Sequence, residues 1–332
     1  MRENQPMLTV VIPVFNVERY IEECLQSVES QTFQEYEVIL VDDGSTDNSP
    51  RICDEHAEKD PRIHVLHIPN QGVSNARNTG IEAARGKYLY FLDADDLLAD
   101  SRTLEKLMKF AEDPSVDFIA GKNDHFYHGS TPQNSSQSSS RTETSEKAIR
   151  QFIADKLMTC NVYARSLIGE DRFDTRITLG EDVLFLAKIV SKVKKAVLFD
   201  HLCYHRRLRP ESAFHSAYKS SYSEEHKLFR QLIYKELHGR PGGDELLEKY
   251  EVDVTGLINQ LAVNHQNHPD AVRMVRARIA KWFPHFWLNP LMTCGTKLFV
   301  TAFIVSPKLF YLLFGIYKRI KHAFIVRNLK TL

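Results

Sequence analysis

Three aspartates lie within four residues in the segment "FLDADD" (91–96), directly after an apolar run. If the chain stays extended past this run, Asp93 and Asp95 point the same way, because side chains alternate along a strand. Their carboxylate oxygens are hard ligands that suit Mg²⁺ or Mn²⁺, and such sites leave coordination positions for water and substrate phosphates. Asp95 and Asp96 equally suit a turn that opens the helix predicted after Asp100, because aspartate favours turns and helix starts. Spacing alone leaves both interpretations open.

A second acidic cluster follows an earlier apolar run, in "VDDGSTDNS" (41–49). Asp42 and Asp43 would open a turn with Gly44, and the next polar residues would cap the following helix, so this cluster taken alone favours a structural interpretation. If the two clusters share one edge of a sheet, however, their charge needs compensation. Arg77, in "SNARNTG" (74–80), offers that compensation.

The elements that must position these residues alternate along the first half of the chain. Such alternation predicts an α/β domain with a mostly parallel sheet and helices on both faces. In these sheets ligands bind beyond the carboxyl ends of the strands. The polar segments "VFN", "DDGSTDNS", "PNQGVSNARN" and "DADD" follow the predicted strands and should therefore share one edge. The sequence predicts strands over 8–13, 37–41, 62–68 and 87–92, and helices over 17–30, 50–59 and 74–84.

The second half of the chain is less regular. Residues from about 129 to 147 are rich in Ser, Thr and Gln without a hydrophobic period, which predicts a mobile surface loop. In the later segment containing "GEDVLF" (180–185), Thr178 and Glu181 have the spacing of a capping box before an apolar helix. A helical pattern then extends from about 221 to 281. We expect an α/β domain over 1–215, a helical region over 216–290 and a tail over 291–332.

The predicted tail is apolar and basic. From Ala271 onward there are eleven basic residues and no acidic one, whereas residues 1–270 carry 43 acidic and 32 basic residues. The stretch from Leu298 to Tyr317 contains one charge and has about the length of a bilayer span. Because Pro307 and Lys308 interrupt it in the middle, we expect two short helices on an anionic membrane surface. A soluble helical core is the alternative.

The composition limits the cellular location and the binding partners that the protein can be expected to have. The formal net charge is zero, and five scattered cysteines without a C-x-x-C pair indicate neither a zinc site nor a disulfide framework. The first residues, "MRENQPMLTV", contain no apolar signal core. We therefore expect a cytoplasmic protein attached peripherally to the inner face of the cell membrane, without a nucleic-acid partner.

Five segments, "VVIPVFN", "VDDGSTDNS", "GVSNARNTGI", "YLYFLDADD" and "GEDVLF", occur in this order and resemble the family 2 glycosyltransferases with the GT-A fold. The resemblance covers about residues 8 to 210. It implies an inverting enzyme that transfers one sugar from a nucleotide sugar, expected to be a UDP-hexose or UDP-N-acetylhexosamine. The acceptor would be a hydroxyl of a glycan or lipid-linked oligosaccharide in cell-surface polysaccharide synthesis, such as O-antigen or capsule. The implied cofactor is Mn²⁺ or Mg²⁺.

Matching the motifs residue by residue implies a set of roles. Asp182 would be the base that takes the proton of the acceptor hydroxyl, with Glu181 supporting it. Asp95 would hold the metal together with Asp93, where a Lewis acid stabilises the departing diphosphate. Asn161 would face the acceptor. The donor nucleotide would contact Pro13, Phe15, Asn16, Asp42, Asp43, Arg77, Asp93 and Ala94, and, by a looser match, His205 and Arg207.

Three alternatives to a transferase that moves one sugar would each leave a different signature in the sequence. A processive synthase should carry several transmembrane helices and a Q-x-x-R-W motif, and the sequence contains neither. A sugar nucleotidyltransferase would share the sheet and the metal, but its glycine-rich phosphate loop is missing after "VVIP". A membrane-attached nucleotide-sugar-binding module without turnover would not need both Asp95 and Asp182.

Overall fold

The computed structural model describes residues 5–127, 139–143, 158–178, 180–190, 192–208 and 224–239, together with Thr301 and Val305. The chain divides into two compact units, Met1–Leu247 and Glu248–Leu332. The elements given below lie in the first unit, and of the second only Thr301 and Val305 are described. The predicted domain boundaries near residues 215 and 290 fall outside the described residues, so they stay predictions.

The first half of the chain forms the strands and helices that its apolar pattern predicts. The elements are β1 (Leu8–Val14), α1 (Ile21–Glu29), β2 (Tyr36–Asp42), α2 (Ser49–Lys59), β3 (Ile63–His67), α3 (Val73–Ala83) and β4 (Tyr88–Phe91). The strands β1 and β2 are buried almost throughout, as continuous apolar runs should be in a sheet covered on both faces. The first four strands are all parallel, in the order β3-β2-β1-β4.

The second half of the chain extends the same sheet. Its elements are β5 (Leu97–Leu98), α4 (Thr103–Met108), a 3₁₀ turn (Lys109–Glu112), β6 (Phe118–Tyr127), β7 (Ser139–Glu143), β8 (Asn161–Ala164), α5 (Arg165–Ile168), α6 (Glu181–Val190), β9 (Ala196–Leu208) and α7 (Glu224–Leu237). The strands continue in the order β4-β8-β6-β9-β5, with β7 also paired to β9. Only β6 and β9 pair in parallel here, and the other new pairs are antiparallel. Over the residues described, the sheet is therefore parallel in its first half and mixed in its second.

The strand β7 lies within the segment 129–147, for which the sequence predicts a mobile loop. Ser139–Glu143 pair antiparallel with Ala196–Asp200 of β9. An edge strand offers unpaired backbone groups that any extended segment can satisfy, so tertiary pairing overrides the low strand propensity of this polar stretch. The rest of the predicted loop lies outside the described residues.

The helical pattern predicted from about 221 is confirmed over Glu224–Leu237, where α7 forms. The remainder of that helical region and nearly all of the tail lie outside the described residues. In the part of the chain that the structure describes, no helix is long and apolar enough to cross a bilayer.

The parallel register aligns the strand ends that carry the polar segments. Val14 of β1 lies beside Asp42, and Asp42 lies beside His67 of β3. The helix α3 packs closely on β1, because a Cβ at Gly80 would come within 2.3 Å of the Val11 side chain. The loops after β1, β2, β3 and β4 therefore meet at one edge, as the sequence predicts.

Candidate active site

The loop after β1 presents an exposed aromatic ring next to a rigid turn. Phe15 is 47% exposed, although it directly follows a buried strand. Asn16 has a positive φ of 51°, which asparagine tolerates better than most residues. Its Oδ1 accepts a hydrogen bond from the Thr46 backbone N–H at 2.8 Å, and its own N–H donates to the Ser45 hydroxyl at 3.1 Å. Asn16 thus ties the loops after β1 and β2 together, while Pro13 at the end of β1 is half-buried.

Asp43 braces the loop that leads into α3. Its two carboxylate oxygens accept hydrogen bonds from the backbone N–H groups of Gln71 and Gly72, each at 2.8 Å. Gly72 adopts a φ of 91°, a left-handed conformation that favours glycine. The residue is buried in this arrangement. Asp43 therefore shapes the predicted nucleotide pocket through the backbone, whatever contact it makes with a ligand.

Asp42 takes part in a network with a histidine. Its Oδ1 accepts a hydrogen bond from the Ser45 backbone N–H at 3.0 Å, and its Oδ2 lies 2.9 Å from His67 Nδ1. The other ring nitrogen of His67 lies 3.1 Å from Asp54 Oδ1. The hydrogen bond to Asp42, opposed by burial and supported by Asp54, raises the pKa of His67. An imidazolium is the form that can donate to both carboxylates.

Arg77 connects two acidic groups that are far apart in the sequence. Its Nη2 donates to Asp93 Oδ1 and its Nη1 to Glu181 Oε1, both at 2.9 Å. The side chain is buried, and the guanidinium carbon lies 5.4 Å from the centre of the Phe173 ring. Burial alone would lower the pKa of Arg77, but the charges of Asp93 and Glu181 raise it above its usual range. Arg77 is therefore a buried cation between the turn after β4 and the start of α6.

The start of α6 is fixed against α3 through Phe173. The Asn78 side chain accepts a hydrogen bond from the Phe173 N–H at 2.8 Å and donates to its carbonyl at 3.0 Å. The Phe173 ring stacks on Phe185 of α6, with centroids 4.0 Å apart. Burial and the neighbouring Asp182 raise the pKa of Glu181, and Arg77 opposes them. Through Arg77, which also contacts Asp93, Glu181 at the start of α6 is linked to the acidic turn that follows β4.

The helix α6 begins at Glu181, so the predicted cap Thr178 precedes it by three residues. The Glu181 carboxylate accepts a hydrogen bond from Arg77. Asp182 lies in the first helical turn, where its Oδ1 accepts a hydrogen bond from the Val183 N–H at 2.7 Å. Negative charge is favoured in this position by the helix dipole.

The three aspartates of "DADD" have different environments. Asp96 is 3% exposed and accepts hydrogen bonds from the Tyr204 hydroxyl at 2.6 Å and from the Arg207 backbone N–H at 2.7 Å. Burial, together with the charges of Asp95 and Asp93, raises the pKa of Asp96 well above its usual range. The side chain of Asp93 is 34% exposed and Asp95 is half-buried, whereas Ala94 between them is buried. Asp96 therefore anchors the turn, and the other two carboxylates remain as candidate ligands.

The carboxylate oxygens of this turn suit a divalent cation. Asp93 and Asp95 contribute hard oxygens, and their negative charges, together with burial, raise the pKa of Asp96. Among the described residues, no group of three His, Cys, Asp or Glu side chains is placed to hold a metal ion. Two carboxylates from the chain, completed by water and substrate phosphates, are the usual arrangement for Mg²⁺. Asp93 and Asp95 are therefore candidate ligands for a divalent cation.

The more loosely matched residues lie in different places. Arg207 reaches the acidic turn, where its Nε donates to the Asp95 carbonyl at 2.8 Å. His205 is buried beside Asp124, with Nδ1 and Oδ1 2.5 Å apart. Asn161 is fully buried in β8, and its amide donates to the Met158 carbonyl at 3.3 Å. The structure thus brings Arg207 to the site but places Asn161 in the core, away from an open surface.

Two features of the site have no local signal in the sequence. The pairing of Arg77 with Glu181 joins residues 104 positions apart, and the contact of Tyr204 with Asp96 joins residues 108 apart. Both depend on how β9 and α6 pack against the first half of the chain. From the acidic strand ends the sequence predicted only that a compensating charge is needed and that Arg77 could supply it.

The family model described as glycosyl transferase family 2 matches residues 9–171, and the chain belongs to this family. The uncharacterized glycosyltransferase EpsJ of Bacillus subtilis is 31% identical over 232 residues, which cover 66% of this chain and 66% of EpsJ. The minor teichoic acid biosynthesis protein GgaB of the same organism is 34% identical over 214 residues, or 62% of this chain and 23% of GgaB. The chain thus spans at most about two thirds of these relatives.

The fold also resembles solved structures. Staphylococcus aureus TarS 1–349 in complex with UDP-GlcNAc superimposes with a TM-score of 0.67 at 20% sequence identity, covering 94% of this chain and 91% of that one. This likeness concerns the fold, and it agrees with the GT-A fold predicted from the five motifs.

Proposed function

We propose that the protein transfers a single sugar from a UDP-linked hexose or N-acetylhexosamine to a hydroxyl group of a glycan or lipid-linked acceptor, with inversion at the anomeric carbon. The observation that carries the proposal is the double ion pair of Arg77. One buried guanidinium contacts both Asp93, in the turn assigned to the donor, and Glu181, next to the assigned base. A buried cation that binds both Asp93 and Glu181 would hold the donor side of the site at a fixed distance from the catalytic base. Transfer reactions depend on such fixed positions of the reacting groups.

Asp182 would act as the base in this reaction. It accepts the proton of the acceptor hydroxyl while the oxygen attacks the face of the sugar opposite the diphosphate, and Glu181 supports it from the adjacent position. General-base catalysis of this kind contributes about 10²- to 10⁴-fold to a rate. The helix dipole at the start of α6 favours the ionised form that a base needs.

The donor would bind across the loops after β1, β2, β3 and β4. The exposed ring of Phe15 offers a stacking surface for the uracil ring, and the loop that Asp43 braces would form another part of the nucleotide pocket. Asp95 and Asp93 would hold the divalent cation, whose positive charge stabilises the diphosphate as the glycosidic bond breaks. The UDP-GlcNAc in the TarS complex supports the choice of UDP as the first nucleotide to test.

The acceptor and the location follow from the tail and from the relatives. The tail predicted over 291–332 would attach the enzyme to the inner face of the cell membrane, where a lipid-linked glycan is accessible. The name of GgaB, a teichoic acid biosynthesis protein, supports a product in cell-surface polysaccharide synthesis. A single transfer per encounter, not processive synthesis, is proposed.

The test separates binding from turnover in the Asp182→Asn variant. With Mn²⁺ and a panel of UDP-sugars, transfer should fall by about 10²- to 10⁴-fold. UDP should still stabilise the variant, since a ligand at 100 times its Kd adds about 2.7 kcal/mol to the unfolding free energy. Asp200→Asn is the matched control, because Asp200 is exposed and pairs with Lys122 at the surface.

Each outcome has a distinct meaning. Undiminished transfer by Asp182→Asn would contradict the assignment of the base. Nucleotide binding by the unaltered protein without any transfer would favour a binding module. A folded protein that no nucleotide stabilises, with or without Mn²⁺, would contradict the proposed function itself.

A further inference from the structure

The acidic turn after β4 is held in place by the distant strand β9. The Tyr204 hydroxyl donates to Asp96 Oδ2 at 2.6 Å and accepts a hydrogen bond from the Asp93 backbone N–H at 3.3 Å. The Arg207 backbone N–H donates to the other oxygen of Asp96 at 2.7 Å. Both carboxylate oxygens of Asp96 are therefore engaged by β9, and Tyr204 also reaches the first aspartate of the turn.

The Arg207 side chain adds a second attachment. Its Nε donates to the Asp95 carbonyl at 2.8 Å, and its Nη2 donates to Glu23 Oε2 on α1 at 2.7 Å. The guanidinium lies 4.6 Å from the centre of the Phe126 ring and 5.2 Å from that of Tyr20. The side chain is 3% exposed. Arg207 is thus fixed on several sides by α1, β6 and the acidic turn.

We infer that Tyr204, Arg207 and Glu23 are positioning residues of the donor and metal site, which hold the backbone of residues 93–96 so that Asp93 and Asp95 present their carboxylates together. This inference rests on the proposed function. It gives Arg207 a different task from the nucleotide contact that the looser match implies, because two of its guanidinium nitrogens already bind protein oxygens. Glu23 and Tyr204 belong to none of the motifs.

The chemistry of Arg207 explains why arginine is needed at this position. Its planar fork donates in two directions at once, to a backbone carbonyl and to a carboxylate, while its faces contact aromatic rings. A lysine is a single point charge and cannot reproduce this geometry. Groups that orient metal ligands typically change metal affinity 10- to 100-fold when they are replaced, although they never touch the ion.

The test compares Tyr204→Phe, Arg207→Lys and Glu23→Ala with the control Glu35→Ala, an exposed glutamate ahead of β2. Mn²⁺ binding is measured by electron paramagnetic resonance at saturating UDP, and UDP binding without metal by calorimetry. Hydrogen exchange of a peptide covering residues 90–99 reports on the turn in the ligand-free protein. Tyr204→Phe and Arg207→Lys should weaken Mn²⁺ binding about 10- to 100-fold. Glu23→Ala should act in the same direction.

In all three variants, exchange in the turn should be faster and metal-free UDP affinity unchanged, whereas Glu35→Ala should behave like the unaltered protein. Loss of metal-free UDP affinity in Arg207→Lys, with Mn²⁺ affinity retained in Tyr204→Phe and Glu23→Ala, would overturn the inference and make Arg207 a phosphate ligand. Because Glu23 is half exposed, Glu23→Ala tests the inference even if a core variant fails to fold. If the unaltered protein binds neither UDP nor Mn²⁺, this result would instead contradict the proposed function. The positioning role of Tyr204, Arg207 and Glu23 would then be contradicted as well.

Discussion

Replacing Arg77 by methionine should be the most damaging single loss of charge at this site. The change keeps an apolar stem of similar length but leaves Glu181 and Asp93 without their common partner. Removing one partner of a buried ion pair costs about 3–5 kcal/mol of unfolding free energy. The side chain of Glu181 is only 12% exposed, so its loss of a partner should account for most of that destabilisation. The side chain of Asp93 is 34% exposed, so water partly screens its charge and its contribution should be smaller.

We therefore expect a loss of about 3 kcal/mol for Arg77→Met, near the lower end of that range. In a domain of roughly 200 residues, each kcal/mol lowers the Tm by about 2–4 °C, so the Tm should fall by about 6–12 °C. The effect should also depend on pH. Burial already raises the pKa of Glu181, and removing Arg77 removes an opposing cause. Since a raised carboxyl pKa makes ionisation costly, the variant should lose more stability as the pH rises above about 4.3.

The assay is urea unfolding of Arg77→Met, Glu181→Gln and the double variant at an acidic and a neutral pH. If the two groups interact as the structure shows, the double variant should be more stable than the sum of the single effects predicts, by about 0.5–3 kcal/mol. Arg51→Met is the control, because that arginine forms an exposed pair with Glu55 and should change stability little. A small loss of stability for Arg77→Met, with additive effects in the double variant, would contradict a strong interaction between Arg77 and Glu181.

Three further predictions concern other parts of the molecule. His56 lies between Glu29 and Glu22; burial would lower its pKa, but these carboxylates raise it. The unfolding free energy should therefore decrease as the pH rises from about 6.5 through the raised value, and His56→Gln should flatten this decrease in urea titrations. Gly80→Ala should destabilise the protein by about 1–2 kcal/mol in the same assay, because the new Cβ would overlap the Val11 side chain. This loss should outweigh the better helix propensity of alanine. Equal or higher stability would show that α3 can shift away from β1. Deleting the residues after about Pro290 should move the protein from the membrane pellet to the soluble fraction, and an unchanged distribution would contradict the membrane role of the tail.

The parallel half of the sheet, and the edge at which its polar loops meet, could be predicted from the amino-acid sequence. Each apolar run is long enough to be a buried strand, and each is followed by polar residues that a loop requires. The register of parallel strands then leaves little freedom for where those loops meet, so Asp42, Asp43 and Asp93 could be assigned to one edge in advance. Which of these residues contact a nucleotide, a metal or an acceptor stays a prediction.

The contacts of several acidic residues at that edge depend on packing between distant parts of the chain. Asp96 looked like its neighbours in "DADD", yet packing against β9 makes it a buried anchor. The partners that set these roles lie far away in the chain: Arg77 meets Glu181 across 104 positions, and Arg207 meets Glu23 across 184. The polar strand β7 likewise forms because β9 offers it an open edge. Local propensity encodes neither kind of contact, because the energy of a buried charge or a strand pair depends on the group that the fold brings beside it.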